Sequence, residues 1–373
     1  MRIVFIVQGE GRGHITQAIS LFQQLQESRH EIVACLVGTK NNTGFSSILE
    51  TEIAAPIHYF GSPNLIYNKA GNGLSLKRTA KENFLKIPEF WRNLKKIKIC
   101  TNEYKPDLII NFYDLLSGIY QIRYPFTAPQ ICIGHQYVLL HHDYVFPENK
   151  KIDRFLVNAN SRITAMKAKK MLALSFSPFG NRNKIVSIPP LIRNTVIKQD
   201  VGQSSYFVAY LTNENLLSEL SDWQKKNSQI EIHCFIKINL SAIVTKLHEN
   251  FFIHPLDPEK FIKFMATSKG LITTAGFEAV CEAIYFGKPV MMVPVPNHYE
   301  QTCNALDASR YGAGLAQENF NLDQFLLFSS EFKSPMIQFR NWLNEGKSKL
   351  IDELDSFEMQ MSISHYAPGI GEL

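Results

Sequence analysis

Residues 270–305 read GLITTAGFEAVCEAIYFGKPVMMVPVPNHYEQTCNA and contain the most informative turn of the chain. The run Gly270 to Ile272 predicts a short buried strand, Thr273 to Glu278 a tight turn, and residues 276–286 a helix. The apolar run Pro289 to Pro294 predicts the next strand, so the stretch is a strand–helix–strand unit. The start of a helix exposes unpaired N–H groups at the positive end of its dipole, and therefore suits an anion such as a phosphate.

A second turn of the same kind lies near the start of the chain. Residues 8–14 read Gln-Gly-Glu-Gly-Arg-Gly-His and follow directly after the apolar run Ile3 to Val7. Apolar positions with helical spacing continue from Ile15. Two such turns in one chain predict a two-domain enzyme whose substrate lies in the cleft between the domains.

The glycines of the first turn do not match a dinucleotide site. Gly9-x-Gly11-x-Gly13 has the wrong spacing for G-x-G-x-x-G, a motif that also needs an acidic residue at the end of the second strand. That strand ends Leu36-Val37-Gly38-Thr39, without a carboxylate. We therefore disfavour a nicotinamide or flavin cofactor and predict none.

His14 is the residue of the first turn with the most chemical potential. A helix start disfavours added positive charge and so favours the neutral imidazole, which can accept a proton from a hydroxyl. The alternative from the residues alone is a histidine that only packs or bonds to the loop.

Composition limits the class of protein. The chain has 373 residues, of which 45% are hydrophobic, and a formal net charge of +5, too dispersed to indicate nucleic-acid binding. The six cysteines form no CxxC pair, so they indicate reduced thiols in a reducing cytosol. No apolar run is long enough for a signal peptide or a membrane span. We expect a cytoplasmic protein, soluble or peripheral at the inner face of the membrane.

Alternation of strands and helices predicts an α/β architecture in both halves. The polar, unpatterned stretch 194–204 predicts a linker between a first domain over 1–193 and a second over 205–334. The remaining residues, 335–373, predict a helical segment that packs back on the first domain.

The second half resembles the GT-B glycosyltransferases. Within that fold the likeness is to family 28, which includes the N-acetylglucosaminyltransferases of peptidoglycan synthesis, and to the UDP-glycosyltransferases. Their donor motif runs glycine, a glutamate six residues later, Gly-x-Pro, a strand ending in proline, and Gln-x-x-Asn-Ala. In this chain these elements are Gly276, Glu282, Gly287-Lys288-Pro289, Pro294 and Gln301-Thr302-Cys303-Asn304-Ala305.

The resemblance implies a GT-B fold of two Rossmann-like parallel-sheet domains that face an interdomain cleft. It also implies that Glu282 takes the ribose hydroxyls, that Glu300 and Gln301 contact the donor sugar or phosphates, and that Asn304 holds the loop. The nucleotide-sugar residues that it implies are Gly11, Gly13, Thr212, Thr274, Gly276, Phe277, Glu282, Glu300 and Gln301.

The resemblance also assigns an acceptor side. The first loop is similar to the family's glycine-rich loop ending in Gly-His, which places His14 in the cleft as the catalytic base or as a positioning residue. His135 and Gln136 fall where the family has a loop that faces the acceptor. Asp114 follows a strand-like run and is either a second acceptor-side group or an N-cap.

One departure from the family concerns the first strand of the second domain. The peptidoglycan enzymes have a glycine-rich loop there, whereas this chain has Leu211-Thr212-Asn213-Glu214-Asn215. Thr212 and Asn213 can still bond a phosphate, but Glu214 repels one unless it points away. The nucleobase is expected at the backbone around Phe252 to His254.

The predicted activity is transfer of a sugar from a nucleotide-diphosphate sugar, UDP-linked, to an acceptor hydroxyl, with inversion and without a bound metal. The acceptor is a carbohydrate, a lipid-linked molecule or a small molecule, as in cell-envelope or polysaccharide synthesis. Two alternatives stay open, namely a UDP-sugar 2-epimerase and a non-catalytic nucleotide-sugar binding protein.

The segment 67–100 is rich in basic residues with interleaved aromatics, among them Phe84, Phe90 and Trp91. Basic residues beside aromatics suit an anionic membrane surface. The alternative is a solvated basic helix whose aromatic side chains pack inward.

Overall fold

The structure is a computed structural model that describes residues 1–39, 47–66, 68, 73–124, 127–212, 215–237 and 244–366. Asn213, Glu214 and the start of the basic segment, including Lys69, lie outside these residues. The chain forms two seven-stranded sheets, one from each half, with helices packed on them.

The first sheet has the strand order β3-β2-β1-β4-β5-β6-β7, and its paired strands are all parallel. The apolar run Ile3 to Val7 is completely buried at its centre, because parallel strands covered by helices on both faces have no solvent-facing side. The strands are β1 (Arg2–Gln8), β2 (Glu31–Gly38), β3 (Ile57–Phe60), β4 (Leu108–Phe112), β5 (Gln130–Gly134), β6 (Lys170–Leu174) and β7 (Ile185–Ile188).

The helices of the first half connect these strands. One of them is a 3-10 helix, η1 (His135–Leu140), that begins directly after β5. The α-helices are α1 (Arg12–Leu25), α2 (Ser47–Glu52), α3 (Leu76–Leu85), α4 (Ile87–Tyr104), α5 (Leu115–Arg123) and α6 (Lys151–Thr164), followed by the short α7 (Asn194–Ile197) between the sheets.

The second sheet has the order β10-β11-β9-β8-β12-β13-β14. The sequence predicted a parallel sheet, and one edge differs, since β10 is antiparallel to β11. The reason is a two-residue turn, Glu249 and Asn250, in which Asn250 is left-handed with φ 57°. The strands are β8 (Phe207–Leu211), β9 (Ile232–Ile236), β10 (Thr245–His248), β11 (Phe251–Pro255), β12 (Leu271–Thr273), β13 (Val290–Met292) and β14 (Gly314–Ala316).

The last helix of the chain bridges both halves. Trp342 donates its indole N–H to the Ser175 carbonyl of the first half at 2.9 Å, and Arg340 donates to the Tyr285 carbonyl of the second. The helices of the second half are α8 (Asn215–Lys226), α9 (Pro258–Thr267), α10 (Phe277–Tyr285), α11 (Tyr299–Tyr311), α12 (Asp323–Ser330) and α13 (Met336–Tyr366).

Candidate active site

The two halves meet at the turns that follow β1, β4 and β5 in the first sheet and β12 and β13 in the second. Gln17 on α1 bonds to Glu278 on α10, and Gln136 on η1 bonds to Glu300 on α11. The two glycine-bearing turns singled out by the sequence therefore lie opposite each other. The candidate site is the cleft between them.

The turn after β1 depends on glycine at two positions. Gly9 lies so close to β2 that a Cβ there would be 2.7 Å from the Val37 side chain. Gly11 has φ 99°, a conformation that L side chains rarely adopt, and forms the N-cap of α1 without a side-chain cap. The turn leads directly to Arg12 and His14 in the first turn of α1.

His14 lies partly buried at the centre of the cleft. Its ring stacks on Tyr113, with centroids 5.5 Å apart, and its Nδ1 is 3.3 Å from Gln17 Oε1. Its Nε2 is 3.4 Å from the Gln136 amide nitrogen. Burial lowers the pKa of His14, and the nearby Glu300 carboxylate opposes that shift only in part. The imidazole is therefore neutral at pH 7 and can accept a proton.

Tyr113, on which the His14 ring stacks, has a strained backbone conformation. Tyr113 has φ 62°, which is unusual for a bulky side chain. Its hydroxyl bonds to Ser161 Oγ at 2.8 Å, and its ring contacts Tyr137, so its position is fixed from two sides. Burial raises the pKa of this phenol, which keeps it protonated.

Asp114 is buried as the N-cap of α5, with its carboxylate accepting from the Ser117 backbone N–H at 3.1 Å. The capping alternative is thus the one seen in the structure, and burial raises the pKa of the carboxyl to about 6. The side chain in contact with His14 from this strand end is the preceding Tyr113 instead.

His135 and Gln136 take different positions. His135 is buried, bonds to the Leu174 carbonyl at 2.7 Å and stacks on Phe277 of α10 with ring centroids 3.8 Å apart. It is therefore part of the contact between the halves. Gln136 points into the cleft, where its amide donates to Glu300 at 2.9 Å and faces His14.

The start of α10 offers open backbone N–H groups. Gly276 is its N-cap and forms no side-chain cap, and a Cβ at this position would meet nothing within 4 Å. The preceding Ala275 is left-handed with φ 61°. Asn304 donates to the Ala275 carbonyl at 3.1 Å and so fixes the loop that precedes α10. Thr274 lies beside it, with its hydroxyl 3.4 Å from that of Thr212.

Glu282 is buried two turns into α10 and is bonded to an arginine that the sequence analysis missed. Arg193 donates from Nε and from Nη2 to one oxygen of Glu282, at 2.9 and 2.5 Å. Both side chains are shielded from solvent, with 13% and 4% exposed. The available signal was a lone basic residue after Pro189-Pro190, which no local pattern links to α10.

Glu278 is a second residue that the sequence analysis missed. It lies in the first turn of α10, accepts from the Gln17 amide at 2.5 Å, and approaches Gly13 across the cleft. Burial, with a contribution from Glu282, raises the pKa of Glu278 to about 8. Its spacing of four residues before Glu282, which puts both on one helix face, could have indicated it.

The start of α11 has one residue that faces the cleft and one that does not. Glu300 accepts from Gln136, as described above. Gln301 is buried and its side-chain oxygen accepts from the Val295 backbone N–H at 2.8 Å, so it fixes the loop after β13. Phe277 is likewise buried, against His135 and Phe176.

A cavity of about 270 Å³ adjoins the Arg193–Glu282 pair, between α1, α7 and α9. Arg12 contributes to its wall and also lies over the Tyr210 ring of the second half, 5.7 Å from the centroid. Its lining includes Arg12, Ile15, Ile19, Arg193, Thr195, Asp257 and Ile262.

The basic segment forms the helices α3 and α4. Phe90 packs into the core, whereas Phe84 and Trp91 are 71% and 52% exposed. The inward-packing alternative thus holds for one aromatic of three. Among the residues that the structure describes, none belongs to a helix that is both long and apolar enough to cross a membrane.

Comparison with known proteins agrees with this geometry. A family model described as glycosyl transferase family 1 matches residues 1–331. A curated relative from Finegoldia magna, named UDP-N-acetylglucosamine–N-acetylmuramyl-(pentapeptide) pyrophosphoryl-undecaprenol N-acetylglucosamine transferase, is 23% identical over 368 residues. The match covers 92% of this chain and 93% of that protein.

Solved structures show the same fold. The glycotransferase of kitacinnamycin matches with a TM-score of 0.64 at 15% identity, over 95% of this chain and 98% of that one. Acinetobacter baumannii MurG matches with a TM-score of 0.56 at 13% identity, over 95% and 100%. Phytolacca americana UGT2, solved with UDP-2-fluoroglucose and pterostilbene, matches with a TM-score of 0.60 at 13% identity, over 95% and 99%. The fold of this chain is therefore GT-B, as the sequence predicted.

Proposed function

This chain is a member of the glycosyl transferase family 1, and we propose that it transfers a sugar from a UDP-sugar to an acceptor hydroxyl in the cleft between its two sheets. The observation that carries the proposal is the position of His14. A neutral imidazole in the first half faces the first turns of α10 and α11 in the second, joined to them through Gln17 and Gln136.

The donor diphosphate is proposed to bind at the start of α10. The N–H groups there have no side-chain cap, and the missing side chain of Gly276 leaves room for a phosphate to approach. The hydroxyls of Thr212 and Thr274 lie beside this position. Glu214, whose charge was expected from the sequence to repel a phosphate unless it points away, lies outside the described residues.

The ribose is proposed to bind at Glu282, as the resemblance implies. In the structure the Glu282 carboxylate is paired with Arg193. A bound nucleotide can replace the bonds within this pair. Its diphosphate can accept hydrogen bonds from the Arg193 guanidinium, and its ribose hydroxyls can donate to the Glu282 carboxylate. The exchange keeps both charges partnered, so we expect this pair to loosen when the donor binds.

The reaction is proposed to be a single displacement with inversion. The acceptor oxygen forms a bond to the anomeric carbon as the bond from that carbon to the UDP phosphate oxygen breaks, and the electron pair leaves with UDP. The hydroxyl proton passes to His14. The start of α10 and Arg193 supply positive charge to the leaving diphosphate, which is why we propose that no metal ion is required.

Glu300 is proposed to contact the donor sugar. Its carboxylate lies at the start of α11 and is bonded to the Gln136 amide. Carboxylates accept well from sugar hydroxyls, and Gln136 connects this position to His14. His135, Phe277 and Gln301 are buried in packing contacts, so we propose that they shape the site without touching the substrates.

The test of the donor assignment is calorimetric titration with UDP, GDP, dTDP and CDP, each with and without Mg²⁺. Preferential, Mg²⁺-independent binding of UDP supports the proposal. Binding of another nucleotide reassigns the donor, and a strict requirement for Mg²⁺ contradicts the metal-free mechanism.

The test of the reaction is product analysis with UDP-N-acetylglucosamine and UDP-glucose, using lipid-linked, oligosaccharide and small-molecule acceptors. A new glycoside of inverted configuration supports the proposal. An epimerised sugar nucleotide, or binding without turnover on every acceptor, supports one of the two alternatives instead.

A peripheral membrane site is proposed on α3 and α4. The exposed apolar residues Phe84, Leu85, Ile87 and Trp91 lie among the exposed basic residues Lys81, Arg92, Lys95 and Lys96. Such a surface suits the anionic headgroups and acyl boundary of a membrane, where a lipid-linked acceptor is found.

Co-sedimentation with phosphatidylglycerol vesicles tests this surface. We expect binding by the natural protein and its loss in Phe84→Ser/Trp91→Ser. Leu327→Ser is the matched control, since Leu327 is 72% exposed on the second half. Equal binding by all three proteins, or by none, contradicts the assignment.

A further inference from the structure

His14 is held by two glutamines, each of which is anchored to a carboxylate of the opposite half. Gln17 donates to Glu278 at 2.5 Å and turns its side-chain oxygen to His14 Nδ1 at 3.3 Å. Gln136 donates to Glu300 at 2.9 Å, and its amide nitrogen is 3.4 Å from His14 Nε2. The five side chains form one chain of contacts across the cleft.

The direction of these bonds decides which imidazole nitrogen carries the proton. The Gln17 amide nitrogen faces Glu278 Oε1, which accepts either as a carboxylate oxygen or as the carbonyl oxygen of the protonated carboxyl, so the side-chain oxygen of Gln17 is left for His14. That oxygen can only accept, so Nδ1 must carry the hydrogen. On the other side, the Gln136 amide nitrogen donates one hydrogen to Glu300 and has a second available for Nε2, which lies 3.4 Å away. The lone pair of His14 is therefore on Nε2.

We propose that Gln17 and Glu278 are positioning residues that hold His14 in its Nδ1–H tautomer, so that the tautomer of the base is set by an acidic side chain of the second half. The inference rests on the proposed role of His14 as the base. Because the contact crosses the cleft, the base is in the correct tautomer only when the two halves are together.

The first half has a carboxylate that could have done this, and it does not. Asp114 follows the strand end next to His14, but its carboxylate caps α5 through the Ser117 N–H. The adjacent Tyr113 stacks on the imidazole face instead of bonding to a ring nitrogen. Gln17, one turn after His14 on α1, is the group in reach of Nδ1, and its orientation comes from Glu278.

The direct test is the tautomer itself. Proteins labelled with ¹⁵N-histidine report by NMR which ring nitrogen is protonated, and the His14→Gln spectrum assigns the His14 signals. We expect Nδ1–H in the natural protein and in Glu278→Gln, which keeps an oxygen acceptor for Gln17. We expect a shift toward Nε2–H in Gln17→Leu and in Glu278→Ala. An Nε2–H natural protein, or an unchanged tautomer in Gln17→Leu, overturns the proposal.

Kinetics provide the second readout. Gln17→Leu and Glu278→Ala are expected to lower kcat ~10-fold to 100-fold, less than removal of a general base, with the acceptor KM little changed. Glu278→Gln is expected to restore kcat. Gln26→Leu, at the exposed C-terminal end of α1, is the matched control. A loss confined to KM would contradict a positioning role.

The two readouts separate the proposals. If no sugar transfer is found with any donor, the proposed function fails, and the tautomer measurement still decides whether Gln17 and Glu278 set His14. If transfer is found but the tautomer does not respond to Gln17→Leu, the proposed function stands and this inference fails.

Discussion

The two glycine-bearing turns have the same local structure and opposite chemistry. Each follows a buried parallel strand, begins a helix without a side-chain cap, and has one left-handed residue, Gly11 in the first and Ala275 in the second. The helix after the first turn begins with Arg12 and His14, whereas the helix after the second has Glu278 in its first turn. The first turn thus supplies a cationic and a basic group, and the second supplies an acidic side chain.

One local backbone pattern thus serves two purposes in this protein. At the start of α1 the backbone positions the side chain that is proposed to act as the base, and at the start of α10 the open N–H groups are proposed to bind the diphosphate. Glu278 would oppose an anion there if it were ionised. Because burial raises its pKa to about 8, the carboxyl is largely protonated at neutral pH and the conflict is removed.

Removal of the imidazole of His14 is expected to have the strongest effect. His14→Ala is expected to lower kcat by ~10²- to 10⁴-fold while UDP affinity changes little, because the imidazole acts on the acceptor proton. His142→Ala, on an exposed histidine, is the control. Since the pKa of His14 is lowered, the natural protein should keep the basic form, and its kcat, to pH values below 6.5. Near-normal turnover in His14→Ala would leave the first turn without a catalytic role.

The next largest effect is expected at the buried pair behind the second turn. Glu282→Ala leaves the Arg193 guanidinium without its partner in a shielded position, which costs about 3–5 kcal/mol of unfolding free energy. UDP affinity should fall as well. Arg193→Met/Glu282→Leu should recover much of the stability but not the affinity. Chemical unfolding and calorimetry measure the two quantities, and an unchanged affinity in Glu282→Ala would reject the ribose assignment.

Alanine at Gly11 and at Gly276 is expected to affect different properties of the protein. Gly11→Ala is expected to cost about 1–2 kcal/mol of stability, because φ 99° is strained for any L residue. Gly276→Ala should cost nothing, since Gly276 has φ −69° and open space around it, but it should weaken UDP binding ~10-fold by placing a methyl group at the phosphate position. Thermal unfolding measures the stability of both variants, and calorimetric titration with UDP measures their affinity. Equal effects of the two substitutions would mean that the turns do not differ in role.

The smallest effect expected is a pH dependence of stability from Glu278. Its pKa rises from the ordinary 4.5 to about 8 in the folded protein, so the folded state binds more protons than the unfolded state between those values. Stability therefore falls as pH rises through that window. We expect the Tm of the natural protein to fall more between pH 6 and pH 8.5 than that of Glu278→Gln. Parallel pH profiles would show that Glu278 is ionised in the fold.

Local sequence was enough to predict the scaffold of the site. The strand–turn–helix pattern around Gly276 and the position of His14 in the first turn of α1 both depend on residues that are close in the chain. Strand and helix periodicity is a short-range property, so the order of residues reports it directly.

The partners within the site could not be predicted in the same way. Gln17 and Glu278 are separated by 261 positions, and Arg193 and Glu282 by 89. No periodicity links such residues, because their distance depends on how the two sheets meet. Asp114 shows the same limit. Its place in the sequence was compatible with a helix cap and with a substrate contact. The structure shows the cap, because the buried carboxyl accepts from the Ser117 N–H.

Two α/β halves and two helix starts follow from the amino-acid sequence, because hydrophobic periodicity and turn residues act over a few positions. The family resemblance follows from the ordered motif of residues 276–305. Three features followed only from the way the chain packs. Glu278 and Glu300 bond to the glutamines beside His14, Arg193 forms an ion pair with Glu282, and Phe84 and Trp91 are exposed to solvent. Those outcomes depend on packing between elements far apart in the chain, where charge pairing and the exclusion of water are decided by the whole fold.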